Sequence, residues 1–112
     1  MVDFMALLID ALRHLAMSPD DQMSYLAQIG NGSVDELALE FGDVASMADA
    51  RLKQGEISKA QHDKIVRLDA VLRRMSGREN AALWTADALR SSEEWEGVRR
   101  LAQECLRSLR VA

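Results

Sequence analysis

Apolar residues recur at three- and four-residue intervals along nearly the whole chain. Phe4, Leu7, Leu8, Ala11, Leu12 and Leu15 form a first stripe, spaced so that they share one face of a helix. A second stripe, Val34, Leu37, Ala38 and Phe41, continues through Ala45, Ala48 and Leu52. Ile65, Leu68, Val71, Leu72 and Met75 mark another helix, and Trp95, Val98, Leu101, Ala102, Cys105 and Leu109 mark the last. No stretch alternates apolar and polar residues with the period of a strand, so the pattern predicts helices only.

Start and stop signals divide these stripes into elements. Ser33 with Glu36, Ser58 with Gln61, Ser76 with Glu79 and Ser91 with Glu94 each have the spacing of a capping box, in which hydroxyl and carboxylate or amide satisfy backbone donors at a helix start. Ser18 adds a fifth start, because Pro19 suits the first helical position and Asp20 and Asp21 suit the positive field of the first turn. Gly30, Gly55 and Gly77 fall where helices should stop. Helices are therefore expected at about 3–16, 19–29, 34–41, 44–54, 59–74, 79–90 and 93–109. Gly42-Asp43 reads as a stop followed by a cap, with a single bent helix as the alternative, since the apolar stripe runs through it. The expected fold is all-α, one compact bundle of six or seven helices over residues 1–112.

Length and composition fit this picture. At 112 residues, 48% apolar and 29% charged, the chain can bury one core but not two. The single cysteine, Cys105, excludes an intrachain disulfide, and the N-terminus lacks the pattern of a secretory leader, so a reducing cytoplasm is expected. The most apolar stretch, Phe4 to Ala16, is interrupted by Asp10, Arg13 and His14 and falls short of the roughly 20 residues that span a bilayer. A net charge of −4 argues against direct binding of nucleic acid, which calls for a basic surface. That charge is uneven: residues 1–63 carry −7 and residues 64–112 carry +3.

Little of the chain reads as catalytic chemistry. His14 and His62 have no second ligand at the spacing of a zinc motif and read as solvated or capping side chains. Cys105 lies on an apolar stripe and reads as a small buried hydrophobe. Lys53-Gln-Gly-Glu-Ile-Ser58 resembles the second half of a calcium-binding loop, but Ala50, Leu52 and Gln54 stand at the first ligand positions and Gln61 where the bidentate glutamate belongs, which leaves too few anionic ligands, so it reads as an ordinary turn. Phosphate-cradle and nucleophile-elbow motifs are missing, and no metal, cofactor or enzymatic activity is expected. Trp84 and Trp95 read as core, and Gly97 reads as a point of close packing against a neighbouring helix.

Asp35, Glu36, Glu40, Asp43 and Asp49 gather on and beyond the stripe that begins at Val34, and some of them must point away from it. A solvated face with favourable helix-start charge explains the cluster as well as a binding patch does.

Val34-Asp-Glu-Leu-Ala-Leu-Glu-Phe41, then Met75-Ser-Gly77, Leu83-Trp84 and Glu94-Trp95 before Val98-Arg99 and Leu101-Ala102, resemble the small helical immunity proteins of bacterial contact-dependent growth inhibition and polymorphic-toxin systems. The likeness runs from about Ser18 onward, through short motifs of mostly core-type residues. It implies a cytoplasmic inhibitor that binds one cognate toxin domain, often a nuclease with a cationic groove, and the five acidic residues are the expected partner-binding set. The alternative is a helical adaptor, homodimeric or acting on an acidic protein, that uses Arg73, Arg74, Arg99 and Arg100. The sequence is silent on oligomeric state.

Overall fold

A computed structural model of the chain describes residues 3–29 and 32–109. These residues form seven α-helices and one 3-10 helix, with no strand among them: α1 (Phe4–Ala16), α2 (Pro19–Gln28), α3 (Asp35–Ala45), α4 (Ala48–Lys53), α5 (Lys59–Arg74), the 3-10 helix (Arg78–Trp84), α6 (Ala86–Ser91) and α7 (Glu93–Leu109). The long helices close a ring in which α1 packs on α3 and α7, and α5 packs on the same two. Three short helices cover its edges: α2 touches α1 and α6, α4 touches α5, and α6 touches α7 and the 3-10 helix. One connected core fills the ring, with Leu8, Leu12, Leu37, Phe41, Leu68, Trp95, Val98 and Ala102 fully buried. The radius of gyration is 13.8 Å, near the roughly 13 Å of a compact chain of about 100 residues.

Local chemistry explains most helix ends. Ser58 and Gln61 make the complete capping box at the start of α5, and Ser18 accepts from the Asp21 N–H at the start of α2. After α4, the Glu56 N–H donates to the Arg51 carbonyl and the Gly55 N–H to the Leu52 carbonyl, a paired closure that needs the positive φ of 78° at Gly55. The expected interhelical turn is therefore present, at residues 54–58 between α4 and α5. The last carbonyls of α1 are bound by side chains: Gln22 Nε2 donates to those of His14 and Leu15, and Gln103 Nε2 to that of Ala16. Gln22 is wholly buried, and its Oε1 accepts from Arg99 Nη1, which also donates to the Leu89 carbonyl. Gln22 and Arg99 together therefore tie α1, α2, α6 and α7.

Several expected boundaries move. Gly42 does not end a helix: α3 runs through it to Ala45, and the chain breaks at Ser46-Met47, where the Ser46 hydroxyl bonds back to the Asp43 carbonyl at 2.7 Å. The helix expected at 79–90 is two elements, parted at Thr85, whose backbone is extended and whose hydroxyl caps α6 by accepting from the Ala88 N–H. Ser33, Ser76 and Ser91 make no capping box. Val34 precedes α3 in helical conformation with Ser33 accepting from the Asp35 N–H, Ser76 and Ser91 donate to carbonyls four residues earlier, and α7 is capped by Ser92. Gly97 does not mark a close approach, since a methyl group there would meet no atom within 4 Å. Leu7, counted in the first stripe, stands 40% exposed at its edge. Gly30, read as a helix stop, lies outside the described residues.

Candidate protein-binding face

The five acidic residues divide into two sets. Leu37, Phe41 and Val44 bury one side of α3, so Asp35 and Asp43, both exposed, fall on the opposite side with Leu39, and Glu36 lies half-buried beside them. None of these three carboxylates makes a hydrogen bond or ion pair among the described residues. Leu39, between them, is 58% exposed, the most exposed of the large apolar side chains among the described residues. Carboxylates in the first turn of α3 sit favourably against the helix dipole, which accounts for Asp35 and Glu36 without accounting for Asp43 or Leu39.

Glu40 and Asp49 are committed within the fold. Glu40 reaches sideways to α1 and α2, where Oε1 pairs with His14 Nδ1 at 2.5 Å and Oε2 accepts from the Tyr25 hydroxyl at 2.5 Å. The rings of His14 and Tyr25 stack with centroids 3.7 Å apart. Burial, then the hydrogen bond to Glu40, then the negative charges of Glu40, Glu36 and Asp10 push the Tyr25 hydroxyl up to about 12. Asp49 meets His62 Nε2 at 2.6 Å while Asp63 meets His62 Nδ1 at 3.2 Å. Hydrogen bonds first to Asp49 and then to Asp63 raise the His62 pKa, because only the doubly protonated ring can donate to both. The reading of both histidines as solvated or capping is therefore corrected: each links two or three helices through carboxylates.

Beside the free set lies a cleft of about 500 Å³. Ala38 and Leu39 of α3 form one wall, and Gly77, Ala81 and Trp84 form another. Trp84 is held in place by its Nε1–H bond to the Met75 carbonyl, 2.8 Å, and by an edge-to-face contact with Trp95, centroids 5.3 Å apart. Trp95 is core, as expected, its N–H bound to the Leu83 carbonyl, whereas Trp84 is half-buried and borders the cleft. The cleft could not be read from the sequence, because it needs the 3-10 helix to stand away from α3. The only signal available was Trp84 in a segment poor in other large side chains.

The arginines of the adaptor reading are largely occupied. Arg73 pairs with Asp69 and Arg100 with Glu96, each four residues away, and Arg99 turns inward to Gln22, where burial lowers its pKa. Cys105 is buried in the core, and desolvation pushes its thiol up to about 11. Among the described residues no group of three or more His, Cys, Asp or Glu is placed to hold a metal ion, and no helix is long and apolar enough to cross a membrane. Comparison with family models, curated proteins and solved structures yields no match.

Proposed function

We propose that the chain is a cytoplasmic immunity protein that binds and neutralises one cognate toxin domain through the outward side of α3, with no catalytic chemistry of its own. The observation that carries this reading is the set of unpaired carboxylates, Asp35, Glu36 and Asp43, around exposed Leu39 on a helix whose other sides are fixed in the core and by Glu40. Fixed negative charge on a rigid element suits a cationic surface, such as the substrate groove of a nuclease, and speeds encounter by electrostatic steering. The residue likeness to immunity proteins of contact-dependent growth inhibition systems points the same way. Use of the arginine-rich last third by an adaptor has less support, because Arg73, Arg99 and Arg100 are engaged within the fold.

Expression of the protein encoded immediately upstream tests this directly. The reading expects that protein to kill cells lacking this chain, and co-expression of this chain to restore growth through a stable complex of the two. Equal growth with and without this chain would refute it.

A further inference from the structure

We propose that the cleft between α3 and the 3-10 helix is an arginine-anchor site, receiving the guanidinium of one arginine on the partner protein against the Trp84 indole and the Asp35 carboxylate, with the Glu79 carboxylate nearby beside Gly77. This rests on the reading of α3 as a partner-binding face and names the chemistry of the residue that it seats. The cleft offers acceptors and a π face. Trp84 lines it with its N–H already spent on the Met75 carbonyl, so the ring presents π-electron density rather than a donor. Asp35 lines the α3 wall with a carboxylate that has no partner among the described residues. The exposed Glu79 carboxylate is not part of the lining but stands next to Gly77, close enough that a methyl group on Gly77 would lie 3.0 Å from Oε1, and it makes no ion pair among the described residues. Ser76 spends its hydroxyl proton on the Leu72 carbonyl.

A lining of this kind selects a cation that is flat and weakly hydrated. A guanidinium stacks on an indole and pairs with a carboxylate in its own plane, whereas an ammonium keeps its water and cannot stack. Ala38, Leu39 and Ala81 would cover the methylene stem. A volume of about 500 Å³ lies within the roughly 300–1,000 Å³ of small-ligand pockets and leaves room for the residues flanking the arginine. Arginine and tryptophan are also the side chains on which interface energy concentrates.

The probes are Nα-acetyl-arginine methylamide and its citrulline counterpart, which has the same shape without the charge, titrated into the isotopically labelled protein at low salt and followed by NMR. The arginine probe should shift the Trp84 indole and the Ala38 and Ala81 amides together. Citrulline should bind at least about fivefold more weakly, and D35N should erase most of that difference while leaving the rest of the spectrum in place. Equal binding of both probes, shifts confined to carboxylates elsewhere, or no shift at the cleft would each overturn the proposal. No toxin is needed for this readout, so the two readings fail separately. A silent cleft in a protein that still neutralises a toxin sinks the anchor alone, and arginine binding in a protein that neutralises nothing sinks the immunity reading alone.

Discussion

Glu40 and Asp43 lie three residues apart on α3, carry the same charge and read alike in the sequence, yet they do opposite work. Glu40 is clamped by His14 and Tyr25 and joins three helices, while Asp43 stands exposed with an unpaired carboxylate. The difference is one of direction. About 100° of helix rotation per residue turns Glu40 toward α1 and α2 and leaves Asp43, Asp35 and Leu39 facing outward. An acidic cluster is therefore no unit of function until its members' neighbours are known, and only the outward set is free to meet a partner.

The largest effect should separate the apolar residues of the same helix. Phe41 is fully buried and Leu39 is 58% exposed. Phe41→Ala should cost about 3–5 kcal/mol in denaturant unfolding, and Leu39→Ala less than about 0.5 kcal/mol. Comparable losses would mean that α3 is rotated from the orientation described.

Glu40→Gln should cost less, about 1–2 kcal/mol, since the lost bonds involve a charged group whose side chain is 31% exposed. It has a second readout. Tyr25 is the single tyrosine, so tyrosinate absorbance reports on it alone. Its folded pKa of about 12 exceeds the ordinary value of 10, so the protonated hydroxyl favours the folded state. The contribution is fully present below pH 10 and is lost as pH rises through about 12. In Glu40→Gln the midpoint should fall toward 10 without reaching it, because burial, the largest cause, remains. An unchanged midpoint would remove Glu40 from the network.

Much of this division of labour is invisible in sequence, for identifiable reasons. The long helices were legible because Phe4, Leu37, Leu68 and Val98 sit on stripes with helical period, and Ser58 with Gln61 forms the box that its spacing announces. Spacing does not distinguish a serine that caps from one that bonds backward: Ser76 and Ser91 carry the capping pattern and bond backward, while Thr85 and Ser92 cap with Ala88 and Trp95 where the pattern asks for Glu or Gln. Glu40, His14 and Tyr25 are up to 26 residues apart, and no local pattern joins them. The cleft likewise depends on the relative placement of two elements, which periodicity along either one does not encode.

A small expected change in stability accompanies the most direct test of the account. Asp35→Asn, Glu36→Gln and Asp43→Asn combined should cost about 1 kcal/mol or less, chiefly the favourable charge lost from the first turn of α3. Association of this triple variant with the toxin domain, measured by stopped-flow at two ionic strengths beside the parent, addresses the central claim that the outward carboxylates meet a cationic partner. The account predicts an association rate at least about tenfold slower at low salt, with most of the salt dependence gone. A folded triple variant that associates as fast as the parent, with the same salt dependence, would contradict it.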